Sequence, residues 1–220
     1  KFELELINCD PYKVIQEVVT VLGVKAKEKG LELNYRIEGR VPEKIMCDSG
    51  RIRQITTNLL GNAIKFTERG GVDVLVRVKN RQDAILFEID VVDSGVGMAP
   101  DALDNIFEAF VQADNSVTRK FGGTGLGLSI SRTFAQAMGG NITVDSKLGS
   151  GSTFKVFFPT NCVEDVKWVD GDQLLKFDVA QVVANNGVWV FPRSHILVVD
   201  DGPENCELVR LVLENYGLAV

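Results

Sequence analysis

The chain has little of what metal centres and disulfide-stabilised folds usually require. Its 220 residues include one histidine, His195, and four widely separated cysteines with no Cys-x-x-Cys pair: Cys9, Cys47, Cys162 and Cys206. This spacing argues against both a zinc site and a disulfide framework. We expect reduced thiols, as in a cytoplasmic protein.

The chain also lacks a net positive charge and long apolar runs. Its formal net charge is -6, which does not predict binding to nucleic acid or to an anionic membrane. No apolar run approaches the roughly 18 residues that a membrane span needs, and the first residues, KFELELINCD, lack a signal-peptide pattern. We therefore expect a cytoplasmic chain with no membrane contact of its own, which leaves open that it was cut from a larger, membrane-anchored protein.

Hydrophobic periodicity and capping residues predict one domain of helices and strands over residues 1–159. The helices are predicted from Asp10-Pro11 to about Lys29, over 49–66 after the N-cap Asp48, over 101–107 and over 126–138. The strands are predicted in FELELINC, in LELNYRI, in a hairpin formed by VDVLVRV and AILFEIDVVD, and in NITVDS and STFKVFF. The polar stretch 108–120 has no periodicity, which predicts a loop.

The last quarter of the chain has a different texture. Residues 160–194 are predicted as a linker with two hairpin signals, Asp170-Gly171 and Asn186-Gly187. In residues 195–220, HILVVDD is typical of a buried strand, and ENCELVRLVLENYG is typical of an amphipathic helix. One such β-α unit is too short to fold alone.

The segment KFGGTGLGLSI at 120–130 is rich in glycine and precedes a predicted helix. It fits neither the dinucleotide fingerprint GxGxxG nor the nucleotide loop GxxxxGK[ST]. A helix beginning near Gly125 would still offer unpaired N–H groups and a positive dipole end to a phosphate. An ordinary loop that ends at a helix is the alternative.

Two further segments contain candidate site residues. DSGVGM begins with Asp93 at the end of a predicted strand, where a carboxylate beside two glycines could accept a hydrogen bond from an amine next to a flat ring; a surface turn is the alternative. On the 49–66 helix, Asn58, Asn62 and Lys65 continue a polar stripe. Asparagine oxygens suit Mg²⁺, and lysine suits phosphate. A solvated helix face is the alternative.

Taken together, these segments resemble the catalytic and ATP-binding domain of sensor histidine kinases. The resemblance covers about residues 1–159 and rests on five motifs in order, similar to the N, G1, F, G2 and G3 boxes: Asn58/Asn62, DSGVG at 93–97, FEAF at 107–110, GGTGLGL at 122–128 and GSGSTF at 149–154. It implies an α+β fold, the Bergerat ATP-binding fold, in which a two-layer sandwich has a mixed sheet with helices on one face.

The resemblance also implies roles for individual residues, with ATP and Mg²⁺ as cofactors. Asn62 would ligate the metal, with Asn58 and Lys65 supporting the phosphates as catalytic residues. Asp93 would accept from the adenine amino group, and Gly95 and Gly97 would let the base approach. Thr153 would lie near this carboxylate; a simple strand threonine is the alternative. Phe107 and Phe110 would anchor the lid, residues 111–124. Gly123, Gly125 and Gly127 would wrap the triphosphate. Thr124, Leu126 and Leu128 of the same loop would also belong to the nucleotide-binding residues.

Hydrolytic relatives with this fold, such as type II topoisomerases and chaperones of the heat-shock 90 class, have a glutamate base where this chain has Asn58. An amide cannot take a proton from water. The resemblance therefore favours transfer to a histidine on a dimerisation domain of the same kinase, a domain absent from this chain. The alternatives are a non-catalytic ATP-binding docking module and a hydrolytic ATPase of this fold.

The end of the chain implies further partners. HILVVDDGPENCELVRLVLENYG resembles the first strand and helix of a response-regulator receiver domain, with Asp200 and Asp201 as its acidic pair. We therefore expect a hybrid histidine kinase, with a receiver domain or a response regulator as partner. His195 lies outside the helical motif of a phosphoryl-accepting histidine and is interpreted as a linker residue.

Overall fold

The structure is a computed structural model that describes residues 4–81, 84–103, 105–108, 126–160 and 166–175. Several predictions fall outside these residues. They concern Phe110, the lid at 111–124 with Gly123 and Thr124, Gly125, the hairpin signal at 186–187, and the receiver-like residues 195–220 with His195.

The described residues form nine strands and four named helices. In chain order these are β1 (Ile7–Cys9), α1 (Pro11–Glu28), β2 (Glu32–Glu38), β3 (Arg40–Pro42), β4 (Ile45–Cys47), α2 (Ser49–Phe66), β5 (Gly71–Arg81), β6 (Ala84–Asp93), α3 (Pro100–Leu103), α4 (Gly127–Ala137), β7 (Asn141–Lys147), β8 (Gly151–Pro159) and β9 (Trp168–Asp170). None of these helices is long and apolar enough to cross a membrane.

The central sheet has five strands in the order β2-β5-β6-β8-β7. β2 and β5 are parallel, whereas the pairs β5-β6, β6-β8 and β7-β8 are antiparallel. Parallel strands need a crossover connection, and the chain between β2 and β5 includes α2. The predicted mixed sheet and the predicted β5-β6 hairpin are both confirmed.

Side chains alternate between the two faces of this sheet, as strand geometry requires. One face is apolar and packs against α1, α2 and α4; its buried side chains include Val74, Val76, Ile89, Val91, Phe154 and Val156. The other face, called the open face below, carries the alternate residues of the same strands, among them Asp73, Arg77, Glu88, Asp90 and Lys155. The core therefore lies between the sheet and the helices.

Aspartate caps set the start of the two long helices, as the sequence predicts. The Asp10 carboxylate accepts from Lys13 N, and Pro11 is the first residue of α1. Asp48 does the same for α2, since its Oδ1 accepts from Arg51 N at 3.0 Å and its Oδ2 accepts from Glu5 N at 3.2 Å. The bonds to Lys13 N and Arg51 N each satisfy an amide of the first helical turn that has no partner within its helix.

The structure corrects three expectations. Asp170-Gly171 is not a hairpin turn, because β9 ends at Asp170 and pairs with β3, and residues 171–175 are helical. The amino-terminal strand is shorter than FELELINC and covers Ile7–Cys9. Cys9 and Cys47 are joined as a disulfide, so the expectation of reduced thiols is wrong for this pair; pairing of β1 with β4 brings the two residues together.

Candidate functional site

The candidate site is built around Asp93, the last residue of β6. Its side chain lies on the helix-facing side of the sheet, and the residue is only 8% exposed. Burial raises the pKa of Asp93, and hydrogen bonds from Gly95 and Ser152 partly oppose this shift. Among the described residues no cation lies in salt-bridge contact with this carboxylate. Asp93 is thus a buried hydrogen-bond acceptor without a compensating positive charge.

The loop after Asp93 requires glycine for reasons internal to the protein. The Gly95 N–H donates to Asp93 Oδ1 at 2.8 Å, and a Cβ on Gly95 would lie 2.5 Å from Phe66 O. Gly97 has a φ of +63°, and a Cβ there would overlap Lys147 O. Both glycines are predicted to let a base approach. Their close contacts within the chain are a separate reason why no side chain fits.

The end of α2 is fixed beside this loop. The Lys29 ammonium donates to Ile64 O at 2.7 Å, to Lys65 O at 3.0 Å and to Thr67 O at 3.3 Å. The Val96 N–H donates to Phe66 O at 3.3 Å. Lysine is favourable at a helix carboxyl end because it satisfies carbonyls that lack helical partners. The last turn of α2 and the loop after Asp93 are therefore held together.

The predicted polar stripe lies on α2, and its members differ in their contacts. Asn58, Asn62 and Lys65 are all partly buried. Asn58 Nδ2 donates to Ser131 Oγ at 2.9 Å, and a Cβ on Gly127 would overlap Asn58 Oδ1. Asn58 therefore joins α2 to the first turns of α4. The Lys65 ammonium lies 4.9 Å from the centre of the Phe66 ring.

The predicted lid residues are described in part. The Arg132 guanidinium lies 4.8 Å from the centre of the Phe107 ring, and Phe107 and Leu128 both pack against the core. Leu126 is the N-cap of α4 without a side-chain hydrogen bond. The helix covers Gly127–Ala137, within one residue of the predicted 126–138 at each end.

The structure corrects the placement of Thr153. In the sheet, Thr153 pairs with Val92 and therefore lies on the open face. Ser152 is the residue opposite Asp93, and its backbone N–H and hydroxyl bond to that carboxylate. Strand alternation could have identified it, because Ser152 is in phase with the apolar Phe154 and Val156.

Asn62 would supply only one of the oxygen ligands that Mg²⁺ needs. Asn62 offers one amide oxygen, and the described residues contain no cluster of three or more histidine, cysteine, aspartate or glutamate side chains that could hold a metal ion. Mg²⁺ usually keeps several waters and takes few protein ligands when it binds with a nucleotide. One amide oxygen therefore fits a cation that is held mainly by phosphates and water.

The open face of β6 carries a different pair of acidic residues. The Arg77 guanidinium contacts Glu88 at 3.2 Å and also contacts Asp90, and Lys79 Nζ lies 2.9 Å from Glu88. Burial alone would raise the pKa of Glu88, but hydrogen bonds and attraction from Lys79 and Arg77 lower it. This cluster is an internally neutralised part of the sheet.

Comparison with known proteins identifies the family. Residues 47–161 match the family described as "Histidine kinase-, DNA gyrase B-, and HSP90-like ATPase". The chain belongs to this family. The match begins just before α2 and ends just after β8, so it includes every described candidate site residue.

The curated proteins similar to this chain include a signal transduction histidine-protein kinase and a sensor protein. The chain is 42% identical over 155 residues to signal transduction histidine-protein kinase BarA of Escherichia coli (strain K12), a match covering 70% of this chain and 17% of BarA. It is 34% identical over 223 residues to aerobic respiration control sensor protein ArcB of the same strain, covering 100% of this chain and 26% of ArcB. The chain thus spans about a quarter or less of these relatives.

Solved structures with the same fold include ShkA and the catalytic domain of the histidine kinase ThkA. Full-length ShkA in complex with AMPPNP is 38% identical, with a TM-score of 0.63, over 74% of this chain and 33% of that one. The catalytic domain of histidine kinase ThkA, 24% identical with a TM-score of 0.59, covers 71% of this chain and 99% of its own. The fold expected from the five motifs is therefore confirmed.

Proposed function

We propose that this chain is the ATP-binding catalytic domain of a hybrid histidine kinase, which transfers the ATP γ-phosphoryl group to a histidine of a dimerisation domain. The observation that carries the proposal is Asp93, a buried carboxylate without a cation partner among the described residues, at a strand end beside a glycine loop. Such a group suits a neutral donor, and the adenine amino group is one. A cationic ligand would be the other use of such a carboxylate, but the neighbouring motifs match those of nucleotide-binding relatives.

The relatives support the same assignment. BarA is named as a histidine-protein kinase, and ShkA, 38% identical, is described in complex with AMPPNP, an ATP analogue. ATP is therefore the nucleotide expected at Asp93. The ArcB match extends through residues 160–220, which is consistent with interpreting 195–220 as the first strand and helix of a receiver domain.

In this proposal the polar stripe of α2 binds the phosphates. Asn62 would hold Mg²⁺ through its amide oxygen, and the metal would supply charge neutralisation to the phosphates. Asn58 and Lys65 would support the phosphate oxygens, Lys65 by charge-assisted hydrogen bonds. Gly127, at the start of α4, would present helix N–H groups to the triphosphate.

Asn58 also favours phosphoryl transfer over ATP hydrolysis. Its amide donates to Ser131 Oγ, and an amide cannot act as a general base toward water. A protein nucleophile with its own basic nitrogen, such as histidine, needs no such base. Phosphoryl transfer by positioning and charge neutralisation therefore fits this site better than ATP hydrolysis.

The direct test is phosphoryl transfer in a mixture. The full chain is incubated with Mg-ATP labelled at the γ-phosphate and with a helical dimerisation domain that carries the acceptor histidine. We expect acid-labile label on that domain, and none when its histidine is replaced by glutamine. ATP binding without transfer would instead support a docking module, and rapid steady-state release of phosphate would support a hydrolytic ATPase.

A further inference from the structure

One hydroxyl on β7, that of Ser146, connects three segments around Asp93. Its Oγ accepts from Met98 N at 2.9 Å, donates to Gly151 O at 2.9 Å and lies 3.0 Å from Ser152 Oγ. The strand register places Ser146 opposite Ser152, which in turn lies opposite Asp93. The three side chains therefore form one row across β7, β8 and β6.

The chemistry of the row gives it one direction. An ionised Asp93 only accepts hydrogen bonds, so the hydroxyl hydrogen of Ser152 points to it. The Ser146 hydroxyl donates to Gly151 O and contacts Ser152 Oγ at 3.0 Å, so it fixes the position of the Ser152 oxygen. The Met98 N–H donates a hydrogen bond to Ser146 Oγ. Removing this hydroxyl would leave an amide, a carbonyl and Ser152 each short of a partner.

We propose that Ser146 is a positioning residue for adenine recognition, holding Ser152 and the loop at Met98 so that the Asp93 carboxylate is aimed at the 6-amino group of the base. This inference rests on the proposed function. Ser146 acts through Ser152 and the Met98 loop, and it has no assigned contact with the nucleotide.

The test compares two nucleotides on the full chain. ATP carries the 6-amino group, and purine riboside 5′-triphosphate lacks it. We expect Ser146→Ala to weaken ATP binding about fivefold to tenfold, because it leaves partly buried polar groups without partners, and to change binding of the second nucleotide less than about twofold. Ser146→Thr, which keeps the hydroxyl, should restore ATP binding. Thr143→Ala, on the same strand, is the matched control and should change neither.

A double-mutant cycle with Asp93→Asn completes the test. In that background Ser146→Ala should have little further effect on ATP binding, because the group that it positions has been replaced. An equal loss for both nucleotides, no loss for ATP, or a full additional loss in the Asp93→Asn background would overturn the positioning role while ATP binding stands. Wild-type chain that binds neither nucleotide would overturn the proposed function and this inference with it.

Discussion

The two faces of β6 bury acidic groups in opposite ways. On the open face, Glu88 and Asp90 are neutralised by Arg77 and Lys79, and the pKa of Glu88 is lowered even though burial opposes this. On the helix-facing side, the donors to Asp93 among the described residues are neutral, and burial raises its pKa. A carboxylate paired with cations stabilises the fold, whereas one buried without them costs free energy that a ligand can recover. Burial alone therefore does not identify the functional group; the kind of partner does.

The largest expected effect is on the open face. Arg77→Ala removes the cation between Glu88 and Asp90, and we expect a loss of about 3 kcal/mol in the free energy of unfolding, because the buried Asp90 loses its cation and Glu88 keeps only Lys79. Urea titration measures it, and ATP affinity should stay within about twofold.

Arg36→Ala is the matched control for this substitution. It removes an arginine from the same face, but the Arg36 and Asp73 side chains are 62% and 37% exposed, so the loss should be below about 1 kcal/mol. Equal losses for the two variants would show that the buried cluster is not what distinguishes the open face.

The next effect concerns the helix-facing side. A Cβ on Gly127 would overlap Asn58 Oδ1, so Gly127→Ala should cost about 1–3 kcal/mol of stability through overpacking and should also weaken ATP binding. Thermal unfolding and nucleotide titration measure the two losses.

Gly61→Ala provides the control in the same pair of helices. No atom lies within 4 Å of a Cβ placed on Gly61, and alanine is favoured over glycine inside a helix by about 1 kcal/mol. Gly61→Ala should therefore raise stability. A loss at Gly61 as large as that at Gly127 would contradict the assignment of a tight contact at Asn58.

The smallest effect is the pH dependence of stability, which should have opposite signs on the two faces. The lowered pKa of Glu88 means that its contribution is present above the unfolded pKa and is lost as the pH falls through the folded value. The raised pKa of Asp93 means that its contribution is present below the unfolded pKa and is lost as the pH rises through the folded value.

Urea titrations of the wild type, Glu88→Gln and Asp93→Asn across the acidic range would measure both signs. Relative to Glu88→Gln, the wild type should lose stability on acidification. Relative to Asp93→Asn, it should lose stability as the pH rises. The same sign for both differences would remove the contrast between the faces.

Local signals in the sequence predicted much of this fold. The caps Asp10 and Asp48 and the apolar periodicity located α1 and α2, and the alternating valines located β5. These local signals could not predict the features that depend on which strands are neighbours in a sheet. The β3-β9 pair joins segments far apart in sequence, and β1-β4 pairing brings Cys9 to Cys47.

The candidate site shows the same division. The motif containing Asp93 could be recognised from sequence, but its partner was misplaced by one residue, to Thr153 instead of Ser152. A shift of one residue moves a side chain to the other face of a sheet. The cluster of Arg77, Glu88 and Asp90 was not predicted, because β5 and β6 place these residues on one face only through their register.

The account depends most directly on Asp93 as the acceptor for the adenine amino group. Titration of wild-type and Asp93→Asn chains with ATP and with purine riboside 5′-triphosphate tests it, with Glu88→Gln as the control from the open face. We expect Asp93→Asn to weaken ATP binding about tenfold to a hundredfold, as loss of a hydrogen bond to a charged group would. Binding of the nucleotide without the amino group should hardly change, and Glu88→Gln should bind ATP like the wild type. Equal ATP affinities for the wild type and Asp93→Asn would contradict the account.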